Sequence, residues 1–464
     1  MPDKYKFKSK PLLPANWRTC QKKHKRSAAV KHLSTVFFKY VVAVPLLLYI
    51  LYKIIGGPGG AASHPSKTAA AVSPHERLDS VRLQKKLWDK KAVQTLFDKQ
   101  TFLNLESKNF ELTHQNQKLN IETSLDPSLQ RFIQQKLYRS TSRYIGIVVM
   151  DPLNGRILSM VSFDKTNPSG NPNINQFPAA SIFKIVTAAA AVEKCGFNRD
   201  TELLYNGKKH TLYKSQLKER NNRYTRRITF QNAFAQSINP VFGKIGVHYL
   251  DGSDIEKYAT AFGFNRNIDF EIPVSPSFFS LTEEPYHWAE IASGFNTETK
   301  ISPLHAALIA SAVLNRGRLI EPSIVDQIAN QKGEILYRHR VTTVNQAITP
   351  RASAVINDLM GATIKSGTAR KSFRGYRRDK ILSRLKIGGK TGSIDNQHHD
   401  ARIDWFVGFA EEKDGSEKIV ISVLVAHEKY IGIRASRYAR LAIKHYFRDY
   451  FNRQTATLKK NQSS

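Results

Sequence analysis

The sequence has few of the residues that build metal centres and disulfides. Its 464 residues include only two cysteines, Cys20 and Cys195, and no cysteine–histidine spacing typical of a zinc site occurs. His398 and His399 are adjacent in a polar stretch, where a solvated pair is the simpler interpretation. We therefore predict that the protein uses neither a metal nor another cofactor.

Acidic residues are also scarce. There are 38 Asp and Glu residues against 71 Lys and Arg residues, which gives a formal net charge of +33. A positive charge of this size favours an anionic partner, which could be nucleic acid, lipid headgroups or an anionic polymer. Composition alone does not choose among these partners, so the choice depends on where the chain resides.

Common signatures of other enzyme classes are missing. No GxSxG, HExxH or GxGxxG pattern occurs, which argues against an α/β-hydrolase, a zinc protease of that type and a dinucleotide-binding enzyme. The stretch GGKT is similar to a phosphate loop, but Arg384 stands where the first glycine of GxxxxGK[ST] is required. A nucleotide-binding function is therefore not expected.

One apolar run is long enough to cross a bilayer. Residues 36–56 are apolar apart from Lys39 and Lys53 near the two ends, and about 20 residues span the hydrocarbon core. The first 40 residues contain eleven Lys or Arg, so the positive-inside rule keeps this end in the cytoplasm.

This topology predicts that the chain after the apolar run is exported. A cleaved signal peptide is the alternative, but so long a basic region is unusual for one. With an uncleaved anchor, Cys20 and Cys195 lie on opposite sides of the membrane and cannot pair. We therefore expect the large domain that follows to lie outside the cytoplasm. Membrane lipid is then a partner, and nucleic acid is not.

Composition along the chain divides it into six parts. A Gly/Pro/Ala linker follows the apolar run, a highly charged stretch comes next, and a packed domain begins where hydrophobic patterning becomes regular. The predicted parts are a basic cytoplasmic tail (1–35), a transmembrane anchor (36–56), a linker (57–75), a stalk (76–118), a large folded domain (119–452) and a disordered tail (453–464).

The patterning of the large domain predicts an α/β (α+β) fold. Strand-like runs include LNIETSL, YIGIVVM, RILSMVSF, DWFVGFA and KIVISVLVA, and the last two flank a hairpin signal. Residues 419–426 are almost continuously apolar, so both faces of that strand should be covered. Helical patterns precede and follow these strands. We therefore predict an antiparallel sheet with helices on both faces.

Ser181 and Lys184 are the first candidates for chemistry. They are three residues apart at the start of the apolar helix IFKIVTAAAAV, so their side chains share one face. A serine hydroxyl is a weak nucleophile until a base removes its proton. Burial lowers the pKa of a lysine and can make it that base. A helix-capping serine beside a solvent-exposed lysine is the simpler interpretation of this pair taken alone.

Two further motifs favour the catalytic interpretation. SIN contains Ser237 and Asn239, and KTGS begins at Lys390; in the order SxxK, SxN and KTG these form the set typical of serine acyl-transferases that bind penicillin. Ser237 could relay a proton, and Asn239 could hold a substrate amide. Lys390 could attract a carboxylate and lower the pKa of Lys184.

The sequence resembles the penicillin-binding proteins, which are peptidoglycan D,D-transpeptidases. The resemblance runs from about Leu119 to about Phe447 and includes TSLDPSLQ, VVMDPLNGRILSMVS, SINPVFGKIG, ISPLHAALIASAVLNRG, SGTA and DWFVGF in the family's order. It implies a β-lactamase/transpeptidase-like fold with a five-stranded antiparallel sheet between helices. The residues that match the family's catalytic and substrate-binding positions are Ser181, Lys184, Ser237, Asn239, Lys390, Thr391, Gly392 and Ser393.

The resemblance also implies a location, a substrate and partners. The expected location is the bacterial inner (cytoplasmic) membrane, with the catalytic domain outside the cytoplasm. Ser181 would be acylated by a peptidoglycan stem peptide, or by a β-lactam as a covalent inhibitor, with Lys184 as base. Residues 57–118 leave no room for a glycosyltransferase or a large pedestal domain. A glycosyltransferase or another cell-wall synthesis protein is therefore an expected partner.

Three alternatives remain open from the sequence. A D,D-carboxypeptidase uses the same chemistry with water as acceptor, and a β-lactamase would need a deacylating glutamate that we cannot assign. A non-catalytic cell-wall scaffold would have no reason to keep the three motifs intact. Two departures from the family pattern are mild: Ala180 replaces a usual glycine, and Ser393 replaces a common threonine.

Overall fold

The computed structural model describes residues 87–462 except 397, 414 and 416, with side chains described as far as residue 459. The predicted cytoplasmic tail, transmembrane anchor and linker, and residues 76–86 of the predicted stalk, lie outside the described residues. Within the described ranges, every helix is either too short or too polar to cross a bilayer.

The strands of the described chain fall into one large sheet and several small ones. Their bounds are β1 (Asn109–His114), β2 (Gln117–Thr123), β3 (Ser142–Met150), β4 (Ile157–Asp164), β5 (Phe177–Pro178), β6 (Glu202–Tyr205), β7 (Arg226–Thr229), β8 (Lys300–Ile301), β9 (Arg318–Ile320), β10 (Val325–Asn330), β11 (Ile335–Arg338), β12 (Thr343–Gln346), β13 (Leu385–Asp395), β14 (Arg402–Glu412) and β15 (Lys418–His427).

Helices cover both faces of the large sheet. Their bounds are α1 (Lys90–Gln94), α2 (Pro127–Lys136), α3 (Lys184–Cys195), α4 (Lys214–Leu217), α5 (Phe230–Ala235), α6 (Asn239–Lys244), α7 (Gly252–Ala261), α8 (Pro285–Ser293), α9 (Pro303–Leu314), α10 (Pro350–Lys365) and α11 (Ala435–Gln462). Short 3₁₀ turns occur at Ala180–Phe183, Tyr376–Arg378 and Leu382–Arg384, and a π turn at Ile245–Tyr249.

The large sheet confirms the predicted five-stranded antiparallel architecture. Its strand order is β13-β14-β15-β3-β4, and every neighbouring pair is antiparallel. Strand β15 is buried from Ile419 to His427 and is covered on both faces, as predicted. Ile421 and Val423 face a core formed with α2 and α11, whereas Val420 and Leu424 face the larger core that contains α3 and α9.

The folded domain begins earlier than the predicted boundary at residue 119. Residues 87–118, which the charged composition assigned to a stalk, belong to the same compact unit as the rest of the described chain. Phe97 and Phe102 are buried in the larger core, and β1 pairs with β2 in a four-stranded sheet, β1-β2-β10-β11. The prediction was wrong because the few apolar residues of this segment pack inward between many charged ones.

The C-terminal boundary also differs from the prediction. Helix α11 continues to Gln462, so the predicted disordered tail is helical as far as that residue. Phe447 and Phe451 are buried against the large sheet, whereas residues 452–459 are exposed. The polar composition of this end fits an exposed helix extension as well as it fits a disordered tail.

Candidate active site

Ser181 and Lys184 lie side by side between the large sheet and the helices. Ser181 is in the 3₁₀ turn Ala180–Phe183, and Lys184 is the first residue of α3. Lys184 Nζ is 2.8 Å from Ser181 Oγ. Ala180 has a positive φ of 47°, so the backbone turns sharply just before the serine. This geometry gives the hydroxyl a hydrogen-bonded amine, as the spacing of the two residues predicts.

Lys184 is fully buried, and its other partners are neutral. Nζ donates to Asn239 Oδ1 at 2.8 Å and to the carbonyl of Ser293, and it lies 5.5 Å from the centre of the Phe242 ring. Burial lowers the pKa of Lys184 well below its ordinary value, and the positive charge of Lys390 lowers that pKa further. A neutral amine has two N–H donors for the two carbonyl oxygens and one lone pair for the Ser181 hydroxyl.

Ser237 and Asn239 flank the lysine from the segment between α5 and α6. Ser237 has a φ of 55°, and Asn239 is the first residue of α6. Asn239 Nδ2 donates to the carbonyl of His210 at 3.1 Å. Because Oδ1 accepts from Lys184, Asn239 fixes the position of the lysine. The amide nitrogen carries a second hydrogen, which leaves the predicted contact with a substrate amide open.

Lys390 comes from β13, the outer strand of the large sheet. Its ammonium group is buried, donates to Ser237 Oγ at 2.9 Å and to the carbonyl of Thr391 at 2.8 Å, and lies 5.6 Å from the centre of the Phe234 ring. Burial lowers the pKa of Lys390 to about 7. Two lysines thus share one buried site, where repulsion favours a single positive charge at neutral pH.

The remaining residues of the KTGS motif line the same place. A Cβ on Gly392 would lie 3.3 Å from Ala180 Cβ and from Ile182 Cγ1, so β13 passes directly against the turn that carries Ser181. Thr391 Oγ1 is hydrogen-bonded to Thr368 Oγ1. Ser393 Oγ accepts from Arg402 Nε at 3.0 Å. The structure therefore brings together all eight residues that the three motifs predict.

Several supporting residues were missed by the sequence interpretation. Ser293 supplies a carbonyl to Lys184, and Gly294 follows it with a positive φ of 61°. A Cβ on Gly294 would be 1.9 Å from the carbonyl oxygen of Ala180, so only glycine fits beside the nucleophile turn. Thr368 lies in the SGTA motif, and the sequence alone assigns no role to this residue. Arg402, beside Ser393, carried no sequence signal.

His210 is a further titratable group at this site. Its carbonyl holds Asn239, and its ring lies against the backbone of Ser237. Burial lowers the pKa of His210, the hydrogen bond with the backbone of Ser237 opposes this shift, and the positive charge in the buried lysine pair lowers the pKa further. The site as a whole combines a nucleophile, a neutral amine base and one nearby cation.

Comparison with protein families places this geometry in a known context. The family model described as "Penicillin binding protein transpeptidase domain" matches residues 145–444. That range contains all three motifs and most of the large sheet.

Two curated relatives match two thirds of this chain. "Stage V sporulation protein D" of Bacillus subtilis is 25% identical over 334 residues, which are 66% of this chain and 49% of that protein. "Peptidoglycan D,D-transpeptidase PbpA" of Mycolicibacterium smegmatis is 23% identical over 350 residues, which are 66% of this chain and 67% of that protein. The matched part of this chain thus spans about half of the first relative and two thirds of the second.

Solved structures share the fold. The D,D-transpeptidase domain of a peptidoglycan glycosyltransferase from Eggerthella lenta superposes with a TM-score of 0.59 at 22% identity, covering 71% of this chain and 83% of that one. An imipenem acyl-enzyme complex of penicillin-binding protein A from Mycobacterium tuberculosis superposes with a TM-score of 0.58 at 19% identity, covering 70% and 79%. At these identities the likeness concerns the fold.

Proposed function

Because the chain belongs to the penicillin-binding protein transpeptidase domain family, we propose that it is a membrane-anchored D,D-transpeptidase that cross-links peptidoglycan stem peptides. The observation that carries the proposal is the contact of 2.8 Å between Ser181 Oγ and Lys184 Nζ, with the lysine buried among neutral groups. A nucleophile and a base within hydrogen-bond reach are the requirement for acyl transfer.

The first half of the reaction forms an ester on Ser181. Lys184 takes the hydroxyl proton as Ser181 Oγ attacks the carbonyl carbon of the penultimate D-alanine. The C–N bond to the terminal D-alanine breaks, and its amine leaves with a proton that Lys184 returns through Ser237. Backbone N–H groups of Ser181 and Ser393 would stabilise the oxyanion, with each donor contributing about 10²–10³ in rate.

The second half transfers the acyl group to an amine. The amine of a neighbouring stem peptide attacks the ester carbonyl and gives its proton through Ser237 to Lys184. Ser181 Oγ leaves and is reprotonated by the same lysine, so the site returns to its starting state. Lys390 and Thr391 would hold the terminal carboxylate of the first substrate, and Asn239 would hold a backbone amide.

The N-terminal sequence supports the membrane location that we propose, with an anchor at residues 36–56 and an exported catalytic domain. Lipid glycan precursors are polymerised outside the membrane, so a glycosyltransferase partner fits this location. β-Lactams would acylate Ser181 because they mimic the terminal dipeptide, and a related protein forms such a complex with imipenem.

Fluorescent penicillin tests the proposal. The full chain, purified in a neutral detergent, should become covalently labelled, and mapping of the labelled peptide should identify Ser181. A Ser181→Ala variant that stays folded should remain unlabelled. Absence of labelling in the folded wild-type protein would falsify the proposal.

Product analysis separates the alternatives. With a pentapeptide and an added amine, a transpeptidase forms the amide product, whereas a carboxypeptidase releases only the tetrapeptide. Rapid turnover of penicillin would instead indicate a β-lactamase. Complementation of a null strain by Ser181→Ala would indicate a scaffold.

A further inference from the structure

A strongly basic surface begins at the rim of the candidate active site. The segment between α10 and β13 has six Lys or Arg residues and one acid within residues 370–380, and α11 adds one more cation beside it. All seven cationic side chains are exposed. We call this surface the basic ridge, and it consists of Arg370, Lys371, Arg374, Arg377, Arg378, Lys380 and Arg437.

The charges of the ridge are not neutralised by ion pairs within the described chain. None of its seven side chains is within 4.0 Å of a described carboxylate. The acid of the segment, Asp379, is already engaged: it pairs with Lys444 at 2.7 Å and accepts from the backbone N–H of Ile381 at 3.0 Å. The ridge therefore presents a positive potential to solvent. This potential extends about 8 Å from the surface at physiological salt, which is the screening length.

The backbone that carries the ridge is fixed by packing. Phe373 and Leu382 are buried in the core between the large sheet and α11. Arg440 donates to the carbonyls of Ser372 and Arg374 at 3.0 and 2.7 Å. Because the scaffold is ordered, binding a ligand here would not require the segment to fold first.

One end of the ridge lies close to the KTGS motif of the candidate active site. Arg370 comes two residues after Thr368, whose hydroxyl is hydrogen-bonded to Thr391 of the KTGS motif. The rest of the ridge segment packs against the α11 side of the large sheet through Phe373 and Leu382, so only a substrate that extends well beyond Ser181 could contact both. The position therefore favours a role in holding a long substrate rather than a site with its own chemistry.

From these observations we propose that the basic ridge binds the carboxylates of the peptidoglycan strand that is being cross-linked. This proposal rests on the proposed function, since that function supplies the polymer. Stem peptides carry carboxylates at intervals along the glycan, so the partner is a polyanion. Five of the seven ridge residues are arginines, whose planar guanidinium groups match a carboxylate in a two-pronged geometry.

An anionic membrane surface is the competing partner. Peripheral membrane binding normally adds apolar side chains that enter the bilayer. None of the large apolar residues exposed in the described part of the chain lies on the ridge. The surface is thus suited to a hydrated polyanion.

Co-sedimentation of the full chain with purified peptidoglycan sacculi tests the proposal. The ridge variant carries Arg370→Gln, Arg374→Gln and Arg378→Gln. The matched control carries Lys91→Gln, Lys118→Gln and Lys332→Gln, which remove the same charge from exposed positions outside the ridge. We expect the ridge variant to bind sacculi about tenfold more weakly than wild type, and the control to bind as wild type does.

Two further measurements identify the partner. Sacculi whose carboxyl groups have been converted to neutral amides should bind wild type as weakly as untreated sacculi bind the ridge variant. Phosphatidylcholine vesicles with and without phosphatidylglycerol provide the lipid probe, and the ridge variant should bind them as wild type does. Equal binding of ridge variant and wild type to untreated sacculi would overturn the proposal. So would undiminished binding to the amidated sacculi, or a loss that appears only with phosphatidylglycerol vesicles.

Labelling with fluorescent penicillin distinguishes failure of the ridge proposal from failure of the proposed function. Penicillin is small and need not reach the ridge, so the ridge variant should be acylated at the wild-type rate, which also shows that it is folded. If wild type is not labelled, the proposed function fails whatever the sacculi show. If wild type is labelled and the ridge variant still binds sacculi normally, only the ridge proposal fails.

Discussion

Lys184 combines full burial with contacts to neutral groups only, which are the hydroxyl of Ser181, the amide of Asn239 and the carbonyl of Ser293. Lys184→Met should therefore remove the base without leaving a buried charge unpaired. We expect acylation by penicillin to slow by at least about 10²-fold, since general-base catalysis contributes 10²–10⁴. The melting temperature should fall modestly, because the buried oxygens of Asn239 and Ser293 lose their hydrogen-bond donor. Stopped-flow acylation and calorimetry measure the two effects, and a normal acylation rate would assign the base to another residue.

Lys390 links stability to pH. Its pKa is lowered to about 7 by burial, against about 10.5 in the unfolded chain. Between these values the unfolded state binds more protons, so this group makes the folded state more stable as the pH rises from 7 to 10.5. We expect the melting temperature of wild type, minus that of Lys390→Met, to increase from pH 7 to pH 9. A difference that stays flat or falls over this range would contradict the lowered pKa.

The residue scale also shows what the sequence could and could not predict. Ser181 and Lys184 were identifiable because a lysine in an apolar helix needs an explanation, and the SIN and KTGS motifs supplied it. Ser293 was not identifiable, because it acts through its carbonyl, which every residue has. Gly294 is required by contact with Ala180, 114 residues earlier, and one sequence does not reveal such a pairing.

At the scale of elements, the end of α8 supports the turn that carries the nucleophile. Gly294→Ala would strain a backbone with φ of 61° and push a Cβ to 1.9 Å from the carbonyl oxygen of Ala180. We expect the free energy of unfolding to fall by about 2 kcal/mol or more, and penicillin acylation to slow.

Gly333→Ala is the matched control for this prediction. Gly333 also has a positive φ, 78°, in the turn between β10 and β11, but a Cβ there would meet no atom within 4 Å. It should lower stability by about 1 kcal/mol and leave acylation unchanged. If both variants were acylated at the wild-type rate, the support that Gly294 gives to the Ser181 turn would be structural only.

At the scale of the whole molecule, the folded unit begins before residue 119, the boundary that composition predicted. A chain that begins at Leu87 should unfold cooperatively and be labelled by penicillin, because it keeps the entire compact unit. A chain that begins at Leu119 loses β1 and the buried Phe97 and Phe102. Each buried phenylalanine contributes about 3–5 kcal/mol, which together approaches the total stability of a typical domain. Thermal unfolding compares the two chains; equal melting temperatures would restore residues 87–118 to the role of a stalk.

Prediction at this scale was correct for the sheet and wrong for its surroundings. Four strands of the large sheet, β3, β4, β14 and β15, are apolar runs that the sequence pattern identified. The fifth strand, β13, was not among the predicted runs, and the number of five strands came from the family resemblance. The run LNIETSL forms β2, which belongs to the four-stranded sheet. Residues 87–118 contribute single buried side chains, such as Val93 and Phe97, from a mostly charged segment. Their packing depends on β2 and β10, which lie far apart in sequence and are brought together only by the fold.

The position of β13 at the margin of the large sheet has a further physical consequence. A strand of eleven residues with one open side can pair with the same strand of a second molecule, which is the usual start of sheet-to-sheet aggregation. Under the proposed function this side must stay open to admit a peptide, so it cannot be capped by another strand. The cationic side chains of the basic ridge precede β13 in the chain. They would repel a second copy of the protein but attract a peptide that carries carboxylates, and would thereby protect the open strand against aggregation.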